Sequence, residues 1–145
     1  EGRTERLGLY VPATRRRVRT DERSYHLPLP PLLFVGGGAR YRIFALKRRP
    51  QTADARLYHA PCPNVHGTGG ICQGETPFPS CTAETVQAAL TLFWEDSLFN
   101  GDLSRGKCRS YPDDVRRLWA ELDGRRRFPL SELAPAQMRL QQLLE

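Results

Sequence analysis

Residues 58–74 read Tyr-His-Ala-Pro-Cys-Pro-Asn-Val-His-Gly-Thr-Gly-Gly-Ile-Cys-Gln-Gly, a proline- and glycine-ruled stretch with Asn64 and, eight residues later, Cys72. A thiolate is a good nucleophile and a good leaving group. A cysteine on an exposed loop can therefore accept an acyl group as a thioester and hand it to an amine. Each transfer passes through a tetrahedral oxyanion that a neutral side-chain amide can stabilise, and removing one such donor typically costs about 2.7–4 kcal/mol of barrier. Asn64 suits that donor role, and it suits equally a role in bracing the loop. His66 lies close in sequence to both residues and could act as a base or tune the thiol; the plainer reading is a loop histidine with no special task. Cys62 is a second loop thiol, able to form a regulatory disulfide with Cys72 or simply to fill space.

His59, Cys62, His66 and Cys72 are also crowded enough for a zinc knuckle to be weighed, although their spacing follows none of the usual zinc patterns. Cys81 and Cys108 read as small buried residues. Four cysteines would suit two disulfides in a secreted chain, but no basic-then-apolar leader with a small-residue cleavage site opens the sequence. We expect reduced thiols and a cytoplasmic location.

The elements that must position these groups follow from pattern. Leu32–Val35, then Gly36-Gly37-Gly38, then Tyr41–Leu46 reads as strand, tight turn and strand. In the second strand Tyr41, Ile43 and Ala45 face one way and Arg42, Phe44 and Leu46 the other. Pro28, Pro30 and Pro31 confine the approach to an extended, edge-like path. Residues 55–60 form a short third strand and lead into the long irregular segment, a kind of loop that is usually functional or disordered. Leu7–Val11 is a candidate first strand, and the arginine run at 15–19 reads as a loop or exposed edge. Helices come next. Thr82 caps one with Val86, Ala89, Leu90, Phe93 and Trp94 on its apolar face. A second carries Pro112, Asp113 and Asp114 in its first turn and Val115, Leu118, Trp119 and Leu122 on its face, with Gly124 as its stop. Pro135 opens a third. Strands followed by helices predict an α+β fold, an antiparallel meander with helices packed on one face, in a single domain over 1–145 whose segment 1–24 is basic and irregular.

Composition narrows the classes further. The chain has 145 residues, 39% hydrophobic and 26% charged, with a net charge of +6. No apolar run approaches the roughly 20 residues of a membrane helix, and a chain of this length can bury about 68–70% of its unfolded surface, so it needs neither metal nor disulfide to hold a core; no cofactor is expected. Residues 1–23 hold seven arginines against four acids, residues 24–81 six basic residues against two acids, and residues 82–145 nine against ten. The basic character belongs to the first half, which suits nucleic acid or an acidic partner protein. Aromatic residues stand at core-like positions and are not interleaved with the arginines, which makes nucleic acid the weaker choice.

Around Cys72 the chain resembles the ubiquitin-conjugating enzymes. Pro63-Asn64-Val65 followed by Gly70-Ile71-Cys72 matches that family's motif in residue type and in asparagine-to-cysteine spacing. More narrowly, Leu57–Pro61, Pro63–Val65 and Gly70–Cys72 with Gly74 resemble the bacterial conjugating-like proteins called PRTRC system protein B, prokaryotic conjugating family D. The resemblance covers about residues 25–125 and is specific only over 57–74. It implies a thioester-forming transferase with Cys72 as acceptor, and as partners a ThiF-type activating enzyme, a ubiquitin-like modifier and a JAB-type protease of the same system. It also implies an acidic loop beside the cysteine. Phe99-Asn100-Gly101-Asp102 falls there, making Asp102 the candidate carboxylate that orients an incoming amine and helps it lose its proton; a solvated helix-end acid is the plainer alternative. The sequence departs from the family pattern at three places. Cys62 stands where the motif has histidine, so that residue's hydrogen bonds must be replaced or absent; Gln73 replaces leucine after the cysteine; and no amphipathic first helix is visible in residues 1–24. The competing classes are an inactive scaffold of the same fold that only binds modifiers, and a small basic nucleic-acid- or zinc-binding domain.

Overall fold

The computed structural model describes residues 5–144. Its first feature is one long kinked hairpin. β1 (Arg6–Val11) pairs antiparallel with β4 (Leu32–Gly37), and β2 (Thr14–Arg19) with β3 (Ser24–Leu29). The register passes unbroken across the gap, with Val11 opposite Leu32 and Thr14 opposite Leu29. The two ribbons are halves of one hairpin, interrupted where Pro12 on one arm and Pro30-Pro31 on the other cannot donate to the ladder.

The arginine run is therefore a strand. Pairing with β3 imposes alternation on it, so Val18 opposite Tyr25 is buried while Arg15, Arg17 and Arg19 are exposed. The half-buried Arg16 reaches Glu95 at 3.2 Å. Strands thus occupy 6–11 and 14–19, and no helix stands there among the described residues.

β4 turns through Gly38, at φ +60°, into β5 (Arg40–Ala45), which pairs with β6 (Arg56–His59) as the sequence predicts. Tyr41, Ile43 and Ala45 join the main core, and Phe44 and Leu46 a second cluster on the opposite face. Two helices, α1 (Val86–Asp96) and α2 (Val115–Leu122), cover the main face through the residues expected of them. Each large side chain sealed there, such as Phe34, Phe93 or Phe99, contributes about 1.5–3 kcal/mol relative to exposure. α1 starts after a turn in which Thr85 N–H donates to Thr82 Oγ1 at 3.1 Å. Asp114 caps α2 by accepting from Arg116 N–H, and Gly124, at φ +82°, follows its end.

The third helix is shorter than expected. Residues 135–139 form a strand, β7 (Pro135–Arg139), on the free edge of β6 with Leu57 opposite Met138, and only then does α3 (Leu140–Leu144) begin. An open strand edge outcompetes a short helix, and proline is tolerated at the start of an edge strand. The sheet order is β1-β4-β5-β6-β7. Leu143 of α3 packs with Leu33, Phe44, Leu46 and Leu57, so this last turn covers the face opposite α1 and α2. No helix among the described residues is long and apolar enough to cross a membrane.

Candidate functional site

The segment between β6 and α1 is fixed at its inner end by two side chains far away in sequence. Trp119 Nε1 donates to Pro61 O at 2.8 Å, and Lys107 Nζ donates to Val65 O at 2.5 Å and to Cys62 O at 3.4 Å. The chain then folds into a small hairpin in which Val65 bridges Ile71 and His66 and Gly70 bond through their backbones. This hairpin lies along β5, with Ile43 N–H donating to Gly69 O and Ile71 N–H to Tyr41 O. Gly69 is obligatory there: at φ +89° it sits on the Phe44 ring, and an added Cβ would stand 2.3 Å from that ring's Cζ. Arg42 clamps the turn by donating twice to Thr68 O, at 2.6 and 3.0 Å.

Beyond the cysteine, Gln73 continues the ladder with its side chain. Its Oε1 accepts from Tyr41 N–H at 3.3 Å and its Nε2 donates to Ala39 O at 3.0 Å. The carboxamide does the work of a peptide group, which gives the departure from leucine at this position a physical role.

Cys72 is exposed on this frame, and its N–H donates to Asn64 O at 2.8 Å. Asn64 N–H in turn donates to Asp102 O at 3.0 Å. The three candidate residues are thus successive members of one chain of backbone hydrogen bonds. Asn64 holds a left-handed φ of +64°, a conformation asparagine tolerates better than most residues. Its Nδ2 donates to Leu98 O at 3.2 Å, while its Oδ1 is buried without a partner among the described residues. The bracing reading of Asn64 thus has a geometric counterpart in the bond to Leu98. The Asp102 carboxylate is exposed, in a turn where Asn100 Oδ1 accepts Asp102 N–H at 2.8 Å. The tip of the β2–β3 hairpin holds this turn from outside, with Asp21 N–H donating to Phe99 O and Arg116 reaching Asp21 at 3.6 Å.

The two loop thiols occupy opposite environments. Burial pushes the Cys62 thiol up to about 12, against the pull of the Lys107 ammonium, whereas Cys72 faces solvent. The same burial lowers the Lys107 pKa, and burial together with Lys107 lowers that of His59. All four cysteines are free. Among the described residues no three His, Cys, Asp or Glu side chains converge as a metal site, so the zinc knuckle of His59, Cys62, His66 and Cys72 is not assembled. Cys62 is sealed in the core while His66 and Cys72 are exposed. Cys108 is buried as expected and Cys81 half-buried.

A meander leading into a braced Pro-Asn loop that presents one exposed cysteine is the arrangement the sequence resemblance implies, and the chain matches prokaryotic E2 family D over residues 3–136. The chain belongs to that family. No curated protein and no solved structure matches it. Membership of family D gives the chain a prokaryotic E2-like conjugating fold, and in general terms an association with a modifier and its activating enzyme. In this family D protein the motif histidine's place is taken by the buried Cys62, and donors to the neighbouring carbonyls come from Lys107 and Trp119. Sequence reading missed both supporting side chains. Trp119 was legible only as a core residue, and a lone lysine in a polar stretch carried no signal.

Proposed function

We propose that this protein is a bacterial conjugating enzyme that accepts a ubiquitin-like modifier as a thioester on Cys72 from a ThiF-type activating enzyme and transfers it to a target nucleophile. The observation that carries the reading is Cys72 itself, an exposed thiol whose backbone is bonded directly to Asn64 within a loop fixed to the sheet. Cys72 Sγ attacks the carbonyl carbon of the modifier's activated C-terminus and the activating enzyme's thiol departs. An acceptor amine then attacks that carbon and Sγ leaves, the amine's proton passing to the Asp102 carboxylate or to water. One N–H of the Asn64 amide is engaged with Leu98 O, and the other is assigned to the oxyanion of each step. A shallow depression of about 430 Å³ lined by Ala39, Arg40, His66, Ile71, Cys72 and Gln73 is the groove for the modifier's tail.

The chain acts as one domain in the bacterial cytoplasm, within a PRTRC-type system whose JAB-type protease processes or removes the modifier. The basic first half, exposed along β2, is the face that meets an acidic partner. Incubation with the cognate activating enzyme, modifier and ATP yields an adduct that a reducing agent cleaves and that Cys72→Ala abolishes; an adduct that persists in that variant refutes the proposal. Asn64→Ala separates the two roles of the amide. An oxyanion donor leaves loading intact and slows discharge, whereas a brace alone lowers loading and melting temperature together.

A further inference from the structure

The buried lysine has no partner of the kind a buried charge usually requires. Lys107 is 4% exposed, and among the described residues no carboxylate pairs with it. Taking an ammonium out of water without a counter-ion is expensive. What it does have is two carbonyl acceptors that flank one residue, Cys62 O before Asn64 and Val65 O after it. Between them Asn64 adopts φ +64°, donates from its main chain to Asp102 O and from its side chain to Leu98 O, and accepts from Cys72 N–H.

We propose that Lys107 is the positioning residue of the site, gathering the two carbonyls that flank Asn64 so that the asparagine is held in its left-handed turn and its amide is aimed for transfer from Cys72. This rests on the proposed thioester chemistry for its consequence but not for its geometry. Two carbonyls converging on one ammonium curl the Cys62–Val65 backbone, and that curl points the Asn64 N–H and carbonyl outward to Asp102 and Cys72. A purely apolar side chain of the same length fills the volume and leaves both carbonyls without a donor in a buried place. The stem packs either way; the carbonyl geometry depends on the head group.

The experiment uses the full chain labelled with nitrogen-15 and compares Lys107→Met with Lys107→Arg, whose guanidinium keeps the charge and can donate to both carbonyls. Val86→Ala, a core change in α1 that leaves the Lys107 hydrogen bonds untouched, is the control for destabilisation. The Asn64 side-chain NH₂ resonances report the position of the amide with no modifier present. They shift and lose protection from exchange in Lys107→Met and stay near wild type in Lys107→Arg and Val86→Ala. In single-turnover discharge of the Cys72 thioester, Lys107→Met is slower by about tenfold or more, and Lys107→Arg recovers most of the rate. Unchanged Asn64 resonances in Lys107→Met, or equal changes in Val86→Ala, overturn the inference. Where Lys107→Met fails to fold, Lys107→Gln with its single donating amide takes its place under the same criteria. If the wild type forms no thioester, the conjugating reading falls while the resonance comparison still decides the role of Lys107.

Discussion

The two ends of the Pro61–Gly74 loop are built on different principles. The inner end, Pro61 to Val65, is mostly buried, and its carbonyls are taken by donors from α2 and from the segment that precedes it. The outer end runs from the buried Ile71 to the surface at Cys72 and Gly74, and is held by the edge of β5 and by the carboxamide of Gln73. Each end carries a cysteine, and the contrast between them is the contrast between the ends: the Cys62 thiol sealed and pushed up to about 12, the Cys72 thiol open to solvent. Under the proposed function Cys72 must meet two protein partners, which requires exposure, and exposure alone would leave it poorly placed. Here the stiffness comes from the inner end, and the outer end spends it on presentation.

Changes that strike the seam between the two ends have the largest expected effect. Gly69→Val places a Cβ against Phe44 in a backbone that β-branched residues avoid, and we expect a loss of about 2–4 kcal/mol in urea unfolding.

Alkaline pH loosens the inner end next. An unfolded thiol ionises near its ordinary 9.0, while folded Cys62 keeps its proton to about 12. Its contribution to stability is therefore full below pH 9 and is lost as the pH rises through that window. Lys107, whose pKa burial lowers, works in the opposite direction over its own window. By pH 11 the cost from Cys62 reaches about 2–3 kcal/mol, and Cys62→Val flattens the fall in melting temperature between pH 9 and 11. An equal fall in both proteins contradicts the assignment.

Trp119→Phe keeps a six-membered aromatic ring but loses the indole N–H and strands the buried Pro61 carbonyl, for an expected loss of about 1–3 kcal/mol by the same urea method. Smallest in stability is Gln73→Leu at the outer end, under about 1 kcal/mol. It changes the rate at which iodoacetamide alkylates Cys72, so reactivity moves while the melting temperature hardly does. Both moving together would erase the distinction between the ends.

The chemical groups of the loop were legible in the sequence and the side chains that hold it were not. Asn64 and Cys72 announce themselves by residue type and spacing, and the glycines of the β4–β5 turn and of Gly69-Gly70 mark where the backbone must bend. Both main helices could be read from periodicity because one face of each is buried, and the β5 alternation because it divides its side chains between two apolar clusters on opposite faces. The arginine strand has no pattern of its own; its conformation is set by the register it shares with Ser24–Leu29. Residues 135–139 had a helix-opening proline and became a strand because β6 offers an edge, a fact about tertiary structure alone. Lys107, Trp119 and Gln73 act across sequence separations of 42, 58 and 32 residues, and local reading has no access to such pairings.

The most direct test of the account places serine at position 72. With activating enzyme, modifier and ATP, intact-protein mass spectrometry of wild type should show one modifier added and lost on treatment with dithiothreitol. Cys72→Ser should show the same added mass as an oxyester that survives dithiothreitol and is cleaved by mild alkali. An adduct in Cys72→Ser that reducing agent still removes would place the thioester on another cysteine and contradict the account.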